Sequence, residues 1–352
     1  MKIRFTLFIL FAWATLTQAQ DLQYSYWQFS PISYNPAFTG AFYGNLRVNG
    51  LVRDQWRTVS ADGDFQTLSL ALDGNIPFGL KETDWVSVGI SLANDKSGTS
   101  GYKVGFQGIS AAYHLTIGKD ASTILTLGGK YGNYSRGITD RSNLLSPHAL
   151  ENSTGPGTGP DVMGIDTENL NSTSDLMVGA MLFTSIGKTS DMRIGFAMDH
   201  LLRPSFERRT TTGTPPDTMS TVTRQFIERR LNAHAQFYFD LSDKVSFNPT
   251  LLYQSMGGAS NILVQTMFSY AFKPEKEIYL NAGTGIRLAD NNFIPVYLGA
   301  DYKDWRFGFS YAINMGGLAA TAREGAFELA VSKVISWQKK TKVNPKFICP
   351  RL

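Results

Sequence analysis

The chain has 352 residues, with 33 basic against 29 acidic side chains, and a balance this even carries no nucleic-acid footprint. Its single cysteine, Cys349, excludes an internal disulfide framework. Aromatic residues at 12% suit interfacial girdles, 33 glycines suit turns and close strand packing, and a mean hydropathy of −0.14 does not contradict a membrane location for strands that face water on one side.

The first nineteen residues read as a secretory signal. Lys2 and Arg4 precede an apolar core from Phe5 to Leu16, and Thr17-Gln18-Ala19 forms a small-residue cleavage site. The apolar run is too short to span a bilayer. Cleavage after Ala19 leaves Gln20 at the mature N-terminus, with no cysteine there for lipidation and 31 basic against 29 acidic residues once Lys2 and Arg4 are gone. Beyond it, no stretch approaches the roughly 18 uninterrupted apolar residues of a spanning helix. An exported chain of this kind is periplasmic, secreted or a barrel.

Residues 20–44 lack sustained alternation and are rich in aromatics and prolines. They are expected to form an N-terminal plug or rim segment that packs its aromatics against the base of a barrel. The sharper expectation is a docking element for a periplasmic partner, with Tyr24, Trp27, Phe29, Asn35, Pro36 and Phe38 as contacts.

From residue 45 the pattern changes to period 2. The clearest unit runs from Arg229 to Phe272. Leu231, Ala233, Ala235, Phe237 and Phe239 share one face of an extended chain, and Asn232, His234, Gln236 and Tyr238 share the other. After Met256-Gly257-Gly258-Ala259-Ser260 turns the chain, Ile262, Val264, Thr266, Phe268, Tyr270 and Phe272 line the outer face of another run. Runs of about 10–12 residues exceed the usual soluble strand and are long enough to cross a bilayer at a tilt. Strands are expected near 45–54, 65–75, 84–95, 103–117, 122–137, 174–187, 190–200, 229–241, 244–255, 260–272, 276–289, 293–303, 305–314 and 324–335. The fold class is therefore all-β, a transmembrane antiparallel barrel of about fourteen strands over residues 45–335, an even number whose ends can meet.

Ile109, Ala111, Tyr113, Leu115 and Ile117 should face lipid, with Ser110, Ala112, His114 and Thr116 in the lumen. Trp305, Phe307, Phe309, Tyr311 and Ile313 repeat the pattern. Run 174–187 is ambiguous, because Met177, Met181 and Phe183 compete with Leu176, Val178 and Leu182 for the outside, as they would in a strand covered by a loop or plug. Alternate connections are short, and the intervening set holds the two longest, Ile138–Thr173 and Leu201–Glu228. Outer-membrane barrels keep short turns in the periplasm, so both termini are expected there.

Catalytic chemistry is absent from the pattern. His114, His148, His200 and His234 stand without metal or nucleophile spacing, and His114 and His234 read as solvated lumenal side chains. Gly155 to Pro160 precedes no helix and is no phosphate cradle. Asp140, Glu151, Asp161, Asp166 and Glu168 crowd the first long loop without calcium-loop spacing. The second long loop offsets Arg203, Arg208, Arg209 and Arg224 against Glu207, Asp217 and Glu228, with Thr210-Thr211-Thr212 as polar filler. No cofactor, metal or catalytic residue is expected. The segment after the last strand, residues 336–352, carries Lys339, Lys340, Lys342, Lys346 and Arg351 and no acid. It reads either as a basic tail near inner-leaflet phosphates or as a docking motif anchored by Phe347 and Ile348.

Several of these stretches resemble one family. Gln23-Tyr24-Ser25, Asn35-Pro36-Ala37-Phe38-Thr39-Gly40, Arg53-Asp54-Gln55-Trp56, Phe65 to Ser69, Gly89 to Lys96 and Asn344 to Arg351 resemble, in order, the PorP/SprF family of type IX secretion system membrane proteins. The resemblance implies a bacterium of the Bacteroidetes group and an outer-membrane location. It also implies a non-enzymatic role in exporting or retaining a surface adhesin, as in gliding motility. The implied partners are outer-membrane lipid, a secreted surface protein outside, and a periplasmic secretion or peptidoglycan-binding component. Two other functions stay open: a channel for small or hydrophobic solutes resembling long-chain fatty-acid transporters, and a barrel hydrolase using a lumenal Ser or His.

Overall fold

The computed structural model describes residues 23–55, 65–77, 79, 81, 83–97, 102–118, 122–138, 171–187, 189–212, 219–289, 292–315 and 325–337. Its first seven strands are β1 Leu46–Gln55, β2 Phe65–Ile76, β3 Trp85–Ser97, β4 Tyr102–Ile117, β5 Thr123–Ile138, β6 Asn171–Ser185 and β7 Ser190–Asp199. A pair follows, β8 Ser205–Thr212 and β9 Met219–Phe226. The last seven are β10 Arg230–Asp240, β11 Val245–Met256, β12 Ala259–Lys273, β13 Ile278–Leu288, β14 Phe293–Tyr302, β15 Trp305–Asn314 and β16 Ala326–Ile335.

Fourteen of these strands form a closed antiparallel barrel, in which β1 pairs with β2 on one side and β16 on the other. The closing register runs from Leu46↔Ile335 to Gln55↔Ala326. Each expected strand has its counterpart. Closure leaves no free edge in lipid, where an unpaired backbone group would cost several kcal/mol. The rim where β1 begins and β16 ends carries the short connections, including Lys303-Asp304 between β14 and β15; it is called the short-turn rim below. The opposite, long-loop rim carries the β5–β6 connection, residues 139–170, all of which lie outside the described residues, and the β8–β9 pair. At that rim Gly257 and Gly258 also join β11 to β12, both at positive φ (56° and 90°), as a two-residue hairpin turn requires.

The outer and lumenal faces alternate as the sequence indicates. Ile109, Phe268, Phe307 and Phe309 are exposed on the outside, while Ser110, His114, Thr116, Ser310 and Asn314 are buried within. The ambiguous run resolves in β6, whose Met177, Met181 and Phe183 face the lumen and are buried. They are apolar because the lumen holds protein there rather than water.

That protein is the N-terminal segment. Residues 23–44 thread the lumen as three single-turn 3-10 helices, Trp27–Phe29, Pro31–Ser33 and Pro36–Phe38. The main hydrophobic core is centred on it: Tyr24, Trp27, Phe29, Ile32, Tyr34 and Phe38 pack on Leu51, Met181, Leu252, Leu263 and Tyr297 of the wall. The segment thus fills the lumen instead of resting on the barrel base. Its described start is bound by Arg53 and Glu328, toward the long-loop rim, and it descends to the short-turn rim to enter β1.

The region expected to be an irregular second long loop is corrected by the structure. β8 and β9 pair as a two-stranded hairpin, from Ser205↔Phe226 to Thr212↔Met219. Phe206 turns inward and packs with Val104, Tyr134 and Ile227 at the long-loop mouth, with the Arg136 guanidinium 4.1 Å from its ring. The threonine run was read as filler because the hairpin, standing clear of lipid, has no continuous apolar face to alternate.

Neighbouring glycines of β5 separate the plug from the wall. A Cβ on Gly128 would sit 2.5 Å from the backbone of Pro36 and Ala37, whereas one on Gly129, across the sheet, would meet nothing nearer than 4.0 Å. Gly128→Val should therefore unseat residues 35–38, at a cost of about 1–3 kcal/mol for overpacking. Gly129→Val should leave them in place. Hydrogen exchange of the 23–44 backbone in detergent measures this; equal protection in both variants would contradict the packing.

Candidate functional site

The lumen is where buried polar chemistry concentrates. A plug built from 3-10 turns satisfies few of its own backbone groups, and buried ones need partners. The wall supplies them along the whole thread. Near its start, Arg53 donates to the Gln23 carbonyl, and Arg287 Nη2 donates to that of Tyr24 at 2.6 Å. The Glu328 carboxylate then accepts the backbone N–H groups of Ser25 and Tyr26, both at 2.7 Å. Charge-assisted bonds of this kind are shorter and stronger than neutral ones. Gln265 Nε2 donates to the Ser25 carbonyl at 2.8 Å, while its Oε1 accepts from Trp27 Nε1 at 3.0 Å.

The lower half of the plug explains the Asn-Pro-Ala-Phe-Thr-Gly stretch. Asn35 Oδ1 accepts from Ala37 N at 2.9 Å, capping the turn that Pro36 begins, and Nδ2 donates to the Ala180 carbonyl at 3.0 Å. Phe38 stacks on the His234 ring with centroids 4.7 Å apart. Thr39 donates to Ser110 at 2.8 Å. Gly40, at φ 70°, donates its N–H to Asp73 at 2.7 Å, and a Cβ there would lie 1.8 Å from Ser87 Oγ. Asp73 also binds Arg47 at 2.8 Å, and Arg47 donates to the Phe38 carbonyl.

The histidines need correction. His114 and His234 are lumenal but not solvated: both are buried under the plug, and His114 Nε2 lies 2.9 Å from the Thr39 carbonyl. His200 is also buried, with Nδ1 2.5 Å from Asp175 Oδ2. Asp199 completes a group whose ligand atoms lie within 4.8 Å of one another, the spacing of a metal site. Its oxygens are already engaged. Asp175 accepts from Leu176 N and faces His200; Asp199 accepts from His200 N and from Arg230 Nη2 at 2.7 Å. Arg230 supplies the cation a metal would bring, and the cluster anchors the base of the β8–β9 hairpin, where His200 takes a positive φ of 56°.

Below the plug, toward the short-turn rim, the lumen opens into a recess. Tyr26, Gln28 and Phe29 of the plug form its floor, and Arg193, Asn248, Thr250, Asn281 and Arg306 stand in its walls. Among the described residues its lining holds no histidine, cysteine or lysine.

Of the residues singled out as partner contacts, Tyr24, Trp27, Phe29, Asn35, Pro36 and Phe38 are all buried in the lumen. In this arrangement they bind the wall and offer no surface to a periplasmic partner. Lys339, Lys340, Lys342, Lys346, Phe347, Ile348 and Arg351 lie outside the described residues, as do His148 and the acids of the first long loop. The wall residues that hold the plug, Glu328, Gln265, Arg287 and Asp73, escaped sequence reasoning. Their one signal was a charged or long polar side chain at a lumenal position, which water would have explained equally well.

Solved structures of similar fold include the TodX monoaromatic hydrocarbon channel with the deltaS2 mutation (TM-score 0.54, 9% identity, covering 86% of this chain and 93% of that one). The CymD monoaromatic hydrocarbon channel gives 0.52 at 11% identity, covering 87% and 93%. The Pseudomonas putida toluene transporter TodX gives 0.50 at 10%, covering 86% and 92%. At these identities the likeness concerns the fold. No curated relative matches the chain. The model of the family described as type IX secretion system membrane protein PorP/SprF matches residues 16–332, which include the plug and nearly the whole barrel. The chain belongs to the PorP/SprF family of type IX secretion system membrane proteins.

Proposed function

We propose that the protein is a non-enzymatic outer-membrane component of the type IX secretion system that supports export or surface attachment of a partner adhesin. The observation that carries this reading is the packed plug: with the centre of the lumen filled by protein held at both ends, the rims and loops are left as the working surfaces. In this reading the long-loop rim faces the cell exterior and meets the secreted partner. The short-turn rim and residues 336–352 face the periplasm and meet secretion or peptidoglycan-binding machinery. The two rims are about 30 Å or more apart, so each partner depends on its own surface.

Co-isolation from solubilised outer membranes tests the division. Deleting 338–352 should reduce recovery of the periplasmic partner about tenfold, a loss of about 1.4 kcal/mol, and spare the surface partner. Shortening 139–170 should do the reverse. Equal recovery of both partners with both variants, at equal barrel levels, would remove the proposal. A tag inserted at Gly157 should be reachable on intact cells and one following Leu352 should not; the opposite result would invert the orientation.

The competing function is passage of small or hydrophobic solutes. Purified wild-type protein in planar bilayers should give no steady open conductance, because the buried aromatic side chains of the plug pack against the wall in the middle of the lumen. A stable open channel in the unmodified protein would favour the solute channel instead.

A further inference from the structure

The plug meets β1 at the short-turn rim, but its chain begins at the other end of the lumen. The Gln23 carbonyl accepts from Arg53, and that of Tyr24 from Arg287 Nη2 at 2.6 Å. Arg53 stands two residues short of the end of β1 and Arg287 one short of the end of β13, both at the long-loop rim. Glu328, which holds Ser25 and Tyr26, is the third residue of β16 from the same rim. From Arg53 down to Leu46 is seven residues, about 18 Å of height at about 3.3 Å per residue and a tilt of about 40°. Cleavage after Ala19 leaves only Gln20, Asp21 and Leu22 ahead of Gln23, and three residues extend about 10 Å at most. The way back is closed besides, because Trp27, Ile32, Tyr34 and Phe38 pack on the wall beneath. The chain end therefore cannot reach the short-turn rim, whereas the end of β1 at the long-loop mouth is about 5 Å above Arg53.

We propose that the mature N-terminus emerges at the long-loop mouth, where residues 20–22 form part of the surface that meets the secreted partner. The placement follows from the height of Gln23 in the barrel; the partner rests on the function proposed above. Fourteen strands return the chain to the side from which β1 sets out, so strand number by itself puts both ends together. The plug adds one more crossing and parts them. At the other end Trp337 N donates to Asn45 Oδ1 at 3.1 Å, which fixes the departure of 338–352 at the short-turn rim. What a partner meets at the mouth is thus a chain end as well as loops. The tip carries one acid, Asp21, and one apolar side chain, Leu22. A partner surface that sets a cation beside an apolar pocket fits it. Behind the tip the backbone is fixed from Gln23 onward by the two guanidinium groups and Glu328, so the tip is offered in one place and little ordering is left to the binding step.

Cysteine labelling of intact cells tests the placement, and the chain's single cysteine, Cys349, marks the opposite side. Asp21→Cys and Gly157→Cys are each combined with Cys349→Ser in the full-length protein, and Leu22→Cys stands in should the first variant be processed or folded poorly. The probe is a sulfonated biotin–maleimide that does not cross the outer membrane. Asp21→Cys and Gly157→Cys should both be labelled on intact cells, and Cys349 of the wild-type chain only after the outer membrane is permeabilised. A cysteine at position 21 that behaves like Cys349, or that reacts only in denatured protein, overturns the placement. Labelling at 21 and 157 only on permeabilised cells, with Cys349 reached on intact ones, upholds the placement but reverses the orientation, and so overturns the contact with a secreted partner. Streptavidin bound to the biotin at position 21 should lower recovery of the surface protein that co-isolates with the wild type about tenfold and spare the periplasmic partner. Undiminished recovery of that surface protein overturns the contact.

Discussion

The structure depends on one constraint: a stretch of chain without regular secondary structure lies at the centre of a barrel, and its backbone must find partners there. The interior offers no bulk water to compensate a lost bond, so each buried peptide group left unpaired would cost as much as a sizeable share of a domain's stability. Glu328, Gln265, Arg287, Asp73 and Asn35 meet this demand, spread around the wall and along the thread. The aromatic core of Tyr24, Trp27, Tyr34 and Phe38 fills the space between them. Polar bonds fix where each turn of the plug sits, and apolar burial supplies much of the driving force for its being there.

The barrel was legible in the sequence because its outer solvent is uniform. Lipid asks for the same apolar character at every second residue, and Ile109, Phe307 and Phe309 answer without reference to the rest of the chain. The hairpin of β8 and β9 was missed for the same reason: it stands beyond the lipid, so its strands carry no such stripe. Run 174–187 looked ambiguous since Met181 answers to the plug, a neighbour more than 130 residues away in sequence. Periodicity reports a solvent; it does not report a partner.

The lumenal site was legible only in outline. The segment 20–44 stood out by its prolines and aromatics, but whether those rings turned inward or outward depended on wall residues spread across the whole chain. Asn35 and Gly40 could be read as turn residues; that the first caps a turn and the second clears Ser87 needed the three-dimensional arrangement. His234 illustrates the limit most plainly. A histidine alternating with Ala233 and Ala235 is a lumenal residue by pattern, and only the stacked Phe38 ring distinguishes a packed imidazole from a solvated one.

The placement of the plug's anchors has a mechanical consequence. The barrel closes where its first and last strands meet, and the plug is held from both: Arg47 and Arg53 reach it from β1, and Glu328 from β16. Gln265 on β12 and Arg287 on β13 tie the same segment to the neighbouring wall. The plug therefore works as an internal spoke. A lateral pull that would part β1 from β16 must also stretch a strut running through the middle of the cylinder, so load on either rim is shared with strands well away from the seam.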